Sequence, residues 1–288
     1  MLGRVAVTGG SGRIGRYVAR ELRRHAEVVN VDLRVGELVQ EWVACDVLDP
    51  VAVRRALRGV DAVCHLAGLD YDAAASEQVY LLANVLGSWN VLEAAAKNGV
   101  SRVVVTSSVT AYGLLDSGFV HKPRYLPIDE CHPCRPVDAY SVSKRIVEDL
   151  GEAWATKADM SVVTLRPMHV VMKETLQSFV QFVERVPAGW LFNYVAAEDV
   201  ARGFRRALEI DGVTCDTFLL GATDTARPEP TLEWYARTVG ALPRILDPRL
   251  YCEHPLASVF SLEKSREVLG WAPQVSFEDL RIAKELKR

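Results

Sequence analysis

A glycine-rich turn near the start of the chain constrains the fold more than any other feature of the sequence. The stretch TGGSGRIG at residues 8–15 follows a short β-rich run and precedes an amphipathic segment that extends to about His25. Its glycines fit G-x-G-x-x-G, with Gly10, Gly12 and Gly15, and also G-x-x-G-x-x-G, with Gly9 in the first place. Such glycines allow a tight strand-to-helix turn and let backbone N–H groups approach a pyrophosphate at the helix N-terminus.

An acidic residue at the end of the next β-rich run supports a dinucleotide site. A glycine turn can also serve only the close packing of a strand on a helix, so the turn alone is a weak motif. Asp32 ends the run EVVNVD, twenty residues after Gly12, where a carboxylate binds the adenosine ribose diol of NAD. Its charge repels a 2′-phosphate, so we expect NAD rather than NADP. Arg13 and Arg34 are near enough to favour NADP, although solvated surface charge is the simpler interpretation of both.

Alternating strand and helix patterns in the first part of the chain predict a parallel sheet. Val-rich runs of 5 or 6 residues, typical of strands buried on both faces, alternate with helical segments at about 76–98 and 137–157. Pro50 suits the first turn of a helix and Gly99 suits the end of one. The runs lie at 4–8, 27–32, 41–46, 61–66, 102–107 and 161–166. We therefore expect a doubly wound Rossmann domain at residues 1–167.

The pattern is less regular after Pro167. Helical stretches near 174–185, 197–209, 231–240 and 262–269 accompany short strands near 190–195 and 217–220. We expect residues 168–288 to form a smaller, discontinuous α/β cap that shapes a substrate cleft, with about 190–220 returning to the first domain. Trp190, Phe192 and Tyr194 alternate as in a strand, which predicts core residues rather than a stacking platform.

Composition excludes several classes of function. Lys and Arg total 34 against 37 Asp and Glu, so the chain lacks the basic field of a nucleic-acid binder. No apolar run reaches the roughly 18 residues of a membrane helix, and the N-terminus has no signal-peptide core. The six cysteines predict a reduced, cytoplasmic protein. Cys131 and Cys134 lack a second pair, so we expect ordinary loop residues and no metal.

A tyrosine and a lysine four residues apart form the candidate catalytic pair. Tyr140 and Lys144 in the segment YSVSK share one helix face. Tyrosine is a poor base at neutral pH, and a lysine cation beside it, with the positive nicotinamide ring, is expected to lower its pKa. A hydroxyl at 106–108, at the end of a strand, would orient the substrate alcohol. A solvated helix face is the common alternative for such a pair, but the dinucleotide fold favours catalysis.

Taken in order, the motifs resemble an extended short-chain dehydrogenase/reductase of the NAD-dependent epimerase/dehydratase family. The resemblance covers nearly the whole chain. It includes the glycine turn, Asp32, CDV at 45–47, HLAG at 65–68, NVLGSWN at 84–90, SSVTAYG at 107–113, PIDE at 127–130, YSVSK at 140–144, LRP at 165–167, EDVA at 198–201 and LGWAP at 269–273.

The resemblance implies roles for individual residues. Ser108, Tyr140 and Lys144 would be catalytic, and Ser108, Tyr140 and His169 would meet the substrate. Members of this family often dimerise through the helices that here span about 76–98 and 137–157, so a homodimer is expected. The residues implied at the cofactor are Gly9, Gly12, Arg13, Ile14, Gly15, Asp32, Asp46, Val47, Leu66, Ala67, Gly68, Asn84, Thr106, Tyr140, Lys144 and Pro167.

Departures from the family pattern narrow the reaction. Family dehydratases carry an Asp-Glu pair where this chain has Val109 and Thr110, so dehydration is disfavoured. Nucleotide-sugar epimerases usually have Asn at the place of His169, and some have Lys near the place of Asp70. The stretch 168–193 is also short and poor in the basic residues that hold a nucleotide diphosphate. His169 is at least as consistent with a packed histidine as with a substrate contact.

Three functions remain at this point. The first is a dehydrogenase that transfers hydride between NAD and a secondary alcohol of a sugar, a sugar acid or a similar small polar molecule. The second is a nucleotide-sugar epimerase with tightly bound NAD. The third is a non-catalytic dinucleotide sensor, which would have no need of all three catalytic residues. The basic loop at 114–126 suits either a lid for an anionic substrate or a solvated loop.

Overall fold

The computed structural model describes residues 2–36, 41–114, 120–185 and 189–285. In chain order the strands are β1 (Arg4–Thr8), β2 (Glu27–Asp32), β3 (Glu41–Ala44), β4 (Ala62–His65), β5 (Arg102–Thr106), β6 (Tyr125–Leu126), β7 (Ser161–Pro167), β8 (Val170–Val171), β9 (Val195–Ala196), β10 (Cys215–Leu220) and β11 (Arg244–Ile245). Seven of them form one parallel sheet in the order β10-β7-β5-β4-β1-β2-β3.

Helices cover both faces of this sheet. They are α1 (Gly15–Leu22), α2 (Pro50–Ala56), α3 (Glu77–Tyr80), α4 (Gly87–Lys97), α5 (Ala139–Lys157), α6 (Leu176–Arg185), α7 (Ala197–Glu209), α8 (Thr231–Thr238), α9 (Pro248–Glu253), α10 (Glu263–Glu267) and α11 (Phe277–Glu285). A π-helical turn (Leu81–Leu86) joins α3 to α4, so the predicted helix at 76–98 is present with one wide turn in its middle.

Alternation of side chains along the strands explains the two-faced core. Successive residues of a strand point to opposite faces of the sheet. Val5 and Val7 therefore join the larger apolar cluster, which includes residues of α1 and α7. Ala6 lies in the second cluster, with residues of α2, α4 and α5. Because both faces of the inner strands are buried, these strands are apolar at successive positions, as the Val-rich runs predict. The edge strand β3 instead alternates between half-buried and exposed residues.

The order of the strands places a crevice at the carboxyl edge of the sheet. From β1 the chain proceeds through β2 and β3 on one side, and then returns to β4 on the other side of β1. In open parallel sheets, ligands bind where the strand order reverses in this way. The doubly wound Rossmann sheet predicted from the sequence is confirmed, and its crevice lies beside the loops that follow β1 and β4.

The C-terminal part contributes to the central sheet and also forms small elements of its own. Strand β10 pairs in parallel with β7, whereas β6 pairs with β11 and β8 pairs with β9. The strand predicted at 190–195 is wrong in its extent. Gly189–Phe192 is a 3-10 turn, with φ of 52° at Leu191 and 50° at Phe192, and only Val195–Ala196 is extended.

The aromatic residues Phe192 and Tyr194 are buried as predicted, although the strand predicted for this segment is not formed at Gly189–Phe192. Phe192 and Tyr194 are buried, because the turn aims both side chains into the larger core cluster. The side chain of Trp190 lies outside the described residues. The alternation of apolar residues therefore correctly predicted that Phe192 and Tyr194 are buried. It did not predict the two successive positive φ angles, at Leu191 and Phe192.

Two kinds of feature are absent from the described ranges. In residues 2–36, 41–114, 120–185 and 189–285, no helix is long and apolar enough to cross a membrane. Within the same ranges no group of three or more His, Cys, Asp or Glu side chains is arranged to hold a metal ion. Cys131 and Cys134 carry free thiols.

Candidate active site

The glycine turn brings backbone against backbone at the mouth of the crevice. Gly9 has φ of +72°, and a Cβ there would lie 2.6 Å from the Ala67 backbone nitrogen. A Cβ on Gly15 would collide with the Gly9 carbonyl oxygen. A Cβ on Gly12, in contrast, would meet only that oxygen, at 3.0 Å. Gly9 and Gly15 are thus required by the packing of the protein, whereas Gly12 keeps the turn open to a ligand, which fits a pyrophosphate cradle.

The carboxylate of Asp32 is fixed beside this turn. Its two oxygens accept backbone hydrogen bonds from Ser11 at 3.0 Å and from Arg34 at 3.1 Å. This places a negative charge at the end of β2, where the sequence predicts the ribose contact. The Arg34 side chain borders a cavity of about 240 Å³ next to the turn, together with Ser11 and Asn30.

The remaining residues predicted at the cofactor line the same edge of the sheet. Asp46 and Val47 follow β3, and Asp46 accepts the Leu48 N–H at 2.9 Å. Residues 66–68 follow β4, Thr106 ends β5 and Pro167 ends β7. Arg13 and Ile14 precede the first residue of α1. The fold therefore gathers these side chains along the carboxyl edge, as parallel strands require.

Asn84 forms hydrogen bonds with two other parts of the protein. It is 1% exposed and lies in the π-helical turn, whose extra residue per turn is a feature often found at functional sites. Its Oδ1 accepts the Leu69 N–H at 2.7 Å, and its Nδ2 donates to the Ser143 hydroxyl at 2.9 Å. Asn84 thus ties the loop after β4 to helix α5, which positions two parts of the site relative to each other.

Three hydroxyls follow β5, and the structure distinguishes them. Thr106 donates to the His65 carbonyl at 2.7 Å. Ser107 is buried and donates to Glu148 at 2.6 Å. Ser108 accepts from the Thr110 N–H at 3.2 Å and from the Thr110 hydroxyl at 3.0 Å, and it also hydrogen bonds with Tyr140. Of the three, Ser108 is the one in contact with the phenol, as the resemblance implies.

Helix α5 presents the tyrosine and the lysine side by side. The helix begins after Asp138, whose carboxylate accepts the Ser141 N–H at 2.9 Å. The Lys144 Nζ lies 5.6 Å from the centre of the Tyr140 ring and donates to the Thr106 carbonyl at 3.1 Å. Burial lowers the pKa of Lys144 to about 8.

The expected lowering of the Tyr140 pKa by Lys144 is not found in the protein by itself. Burial raises the pKa of the Tyr140 phenol above its ordinary value, and the charge of Asp70 raises it further. The hydrogen bond with Ser108 acts in the opposite direction and is the smaller effect. The protein alone therefore holds Tyr140 as a neutral phenol, because the site is closed to water and faces a carboxylate.

Asp70 departs from the family pattern in the sequence, and two tyrosines near it lie against the Tyr140 ring, which the sequence does not predict. The Tyr71 ring meets the Tyr140 ring edge-on at 5.7 Å, and Tyr80 does so at 6.0 Å. The Tyr80 hydroxyl lies 2.7 Å from the Ala73 carbonyl and 3.0 Å from that of Asp70. Tyr80 therefore holds the loop at 69–73 against the catalytic pair, a long-range contact without a sequence motif.

His169 is packed and uncharged. Its ring stacks on Phe179 at 5.0 Å, and its backbone N–H donates to the Asn193 side chain at 3.1 Å. Burial lowers the pKa of His169 to about 4, so the imidazole is neutral at pH 7. The charge of Asp70 raises this pKa and the charge of Arg13 lowers it, so His169 lies near the loop after β4 that contains Asp70.

The basic loop borders a separate cavity. Residues 115–119 of this loop lie outside the described part of the chain. The cavity of about 250 Å³ is lined by residues that include Lys122, Arg124 and Arg135 but not by Ser108, Tyr140 or Lys144. Lys122 donates to the Val239 carbonyl at 2.7 Å, which gives it a structural contact with the C-terminal part.

Comparison with known proteins identifies the family. Residues 5–221 match the NAD dependent epimerase/dehydratase family. An L-arabinose 1-dehydrogenase (NAD(P)(+)) of Haloferax volcanii is 30% identical over 213 residues, which cover 72% of this chain and 83% of that protein. The N-acetyl-alpha-D-glucosaminyl-diphospho-ditrans,octacis-undecaprenol 4-epimerase of Escherichia coli O157:H7 is 33% identical over 196 residues, which cover 67% of this chain and 56% of that protein.

Solved structures agree with the fold. The crystal structure of a short-chain dehydrogenase/reductase superfamily protein from Agrobacterium tumefaciens with bound NAD is similar, with a TM-score of 0.73 at 24% identity. The similarity covers 99% of this chain and 100% of that one. At this identity the likeness shows the fold, and it agrees with the seven-stranded parallel sheet described above.

Proposed function

The chain belongs to the NAD-dependent epimerase/dehydratase family, and on that premise we propose that it is a dehydrogenase of small hydroxylated substrates. It transfers hydride between NAD and a secondary alcohol of a sugar, a sugar acid or a similar small polar molecule. The family confirms the predicted cofactor. The observation that carries the proposal is the arrangement of Ser108, Tyr140 and Lys144, in which one hydroxyl and one ammonium flank a buried phenol.

Each member of this trio has a distinct part in the proposed chemistry. NAD, when bound, supplies the hydride acceptor and a positive charge on its nicotinamide ring. In the direction of alcohol oxidation, Tyr140 would accept the proton of the substrate hydroxyl as a phenolate, the form that the positive charges of Lys144 and of the nicotinamide ring would favour. In the direction of reduction, the Tyr140 phenol would donate that proton. Ser108, which hydrogen bonds with Tyr140, would orient the substrate hydroxyl. Lys144 supplies a positive charge beside the phenol and is itself aligned by the Thr106 carbonyl. Gly12 and Asp32 lie where the pyrophosphate and the adenosine ribose would be held.

Three alternative functions differ in how well they fit the residues present. Val109 and Thr110 stand where dehydratases of the family carry acids, which disfavours loss of water. An epimerase uses the same trio and returns the hydride to the other face of the sugar, and the Escherichia coli relative is a 4-epimerase. A sensor without chemistry would leave the close contact between Ser108 and Tyr140 without a use.

Incubation with NAD and a panel of sugars and sugar acids tests the proposal. Net NADH accumulates with at least one substrate if the protein is a dehydrogenase, whereas an epimerase changes the sugar without accumulating NADH. Tyr140→Phe is expected to lower turnover by roughly 10²–10⁴-fold, the usual contribution of a positioned acid or base. The matched control Tyr71→Phe removes a neighbouring hydroxyl without removing the proton carrier. A Tyr140→Phe enzyme with more than half of its activity would refute the assignment.

A further inference from the structure

A cavity of about 250 Å³ with a basic lining lies apart from the candidate active site. Lys122, Arg124 and Arg135 line it, together with two histidines and several apolar side chains. None of the three proposed catalytic residues is in its lining. Among the residues that the structure describes, the lining includes no carboxylate. A lining with this charge attracts anions.

The two arginines at the cavity are not paired with carboxylates. Within the described part of the chain, neither the Arg124 nor the Arg135 guanidinium forms an ion pair or a hydrogen bond with another residue. Both residues are exposed. Elsewhere a carboxylate does occupy a guanidinium, as Glu148 does that of Arg166. Arg124 and Arg135 therefore keep their N–H donors available to a ligand.

Lys122 supplies a third positive charge at a fixed position. Its Nζ donates to the Val239 carbonyl at 2.7 Å, directly after helix α8, where the helix dipole favours a cation. The carbonyl is neutral, so the ammonium keeps its charge and contributes to the field in the cavity. Because this contact also holds the loop against the C-terminal part, Lys122 has a structural role of its own. The arginines are therefore the better residues with which to test ligand binding.

Hydrogen bonds fix the backbone that carries the arginines. The Arg124 N–H donates to the His132 Nε2 at 3.0 Å, and the Arg135 N–H donates to the Tyr112 carbonyl at 3.1 Å. The Tyr112 hydroxyl donates to the Asp129 carbonyl at 2.6 Å, so this wall of the cavity is anchored as well. A preformed site loses less conformational entropy when a ligand binds, which favours binding.

The charges at the cavity do not cancel. Burial lowers the pKa of His132, and the charges of Arg124 and Arg135 lower it further, so both guanidiniums lie near one imidazole. The charge of Asp129 acts on this pKa in the opposite direction. Against this one carboxylate stand three permanent positive charges, so an excess of two positive charges remains among the described residues at the cavity. A doubly charged anion would balance that excess.

We propose that this cavity binds a small phosphate monoester, with Arg124 and Arg135 holding the phosphate group. Such an ester carries close to two negative charges at neutral pH, and the arginine fork matches its oxygens. One water occupies about 30 Å³, so about eight would fill the cavity, which leaves room beyond the phosphate for a short organic group. The Tyr112 ring and Leu114 offer that group an apolar surface. This site does not depend on the reaction proposed above, because the catalytic residues lie outside the cavity.

Calorimetric titration of the NAD-loaded protein with phenyl phosphate tests the proposal. Bound NAD occupies the glycine turn, the other expected anion site, and phenyl phosphate has no alcohol to oxidise. One phenyl phosphate is expected to bind per chain. Arg124→Gln and Arg135→Gln should each weaken binding about three- to fivefold, the upper range for exposed ion pairs, and the double variant should weaken it about tenfold or more. The matched control Arg54→Gln, at an exposed arginine of helix α2 with no ion pair in the described ranges, should leave the affinity unchanged.

Three results would overturn the proposal. The first is no binding of phenyl phosphate to the wild-type protein at millimolar concentration, and the second is an unchanged affinity in the double variant. The third is binding of benzoate as tight as that of phenyl phosphate, because a site matched to two charges should favour the dianion. Urea unfolding checks that each variant is folded. Since both arginines are exposed, the variants should unfold at the same urea concentration as the wild type.

Discussion

Lys144→Met is expected to stabilise the protein without cofactor while it abolishes activity. The Lys144 ammonium is buried, and its pKa falls from 10.5 to about 8 on folding. A change of this size corresponds to about 3 kcal/mol of folding free energy at a pH where the group is charged in both states. Methionine leaves the Thr106 carbonyl without its ammonium partner, which costs about 1 kcal/mol. A net gain of about 2 kcal/mol is therefore expected at pH 7.

The pH dependence gives the sign of this effect. Because the pKa of Lys144 is lower in the folded state than in the unfolded state, the unfolded protein binds more protons between about pH 8 and pH 10.5. The cost of burying the charge is thus complete below pH 8 and disappears as the pH approaches 10.5. The advantage of Lys144→Met should decrease over the same interval.

Urea unfolding at pH 7 and at pH 10 measures both quantities. Lys97→Met is the control, because Lys97 is a half-exposed surface lysine paired with Glu93, and such changes stay within about 0.5 kcal/mol. Single-turnover hydride transfer tests the accompanying loss of activity. A Lys144→Met protein that is less stable than the wild type at pH 7, or whose advantage does not change with pH, would refute the reasoning.

Three further predictions follow from the fold and the site. Asp32→Ala should reduce the ratio of the dissociation constant for NADP to that for NAD. A wild-type protein that binds NADP at least as tightly as NAD would contradict the role assigned to Asp32. Glu148→Gln leaves the buried Arg166 unpaired and should cost about 3–5 kcal/mol in urea unfolding at pH 7. Since Arg166 holds the pKa of Glu148 below its usual range, this difference should shrink as the pH falls below about 4. We propose that the protein forms a homodimer through the exposed apolar face of Val79, Leu82 and Leu86. Leu82→Asp should therefore yield monomers in sedimentation, whereas the control Val51→Asp, at an exposed residue outside this face, should leave the dimer intact. A wild-type protein that sediments as a monomer would contradict the proposed dimer.

Much of the fold and part of the candidate site could be predicted from local sequence patterns. In the turn from β1 into α1, a side chain on Gly15 would meet the backbone of Gly9 and Gly10, so the sequence displays that reason directly, whereas Gly9 is required by the distant Ala67 backbone. The Val-rich strands are buried on both faces by the helices that alternate with them. Tyr140 and Lys144 share a helix face by spacing alone. Apart from the contact at Gly9, each of these features is determined over less than one strand-turn-helix unit.

The features that the sequence did not predict depend on contacts between distant segments. Ser107, one of the three hydroxyls at 106–108, is buried and donates to Glu148, which itself pairs with Arg166, and this structural use is not visible in the sequence. The Tyr80 hydroxyl meets carbonyls of the loop after β4, which no spacing rule encodes. The 3-10 turn at Gly189–Phe192 has the alternating pattern of a strand, and its positive φ angles occur at residues other than glycine.

Arg13 connects the glycine turn, which the sequence predicts, to the loop after β4, whose position the sequence does not predict. It belongs to the glycine turn, whose sequence predicts a dinucleotide-binding site, yet its side chain extends to Asp70 and Asp72 in the loop beside Tyr140. A guanidinium engaged by two carboxylates has less capacity to hold a 2′-phosphate, which agrees with the preference for NAD assigned to Asp32. The family motifs lie within single segments of the sequence, whereas this contact between Arg13 and the loop after β4 exists only after β1 and β4 are adjacent in the folded sheet.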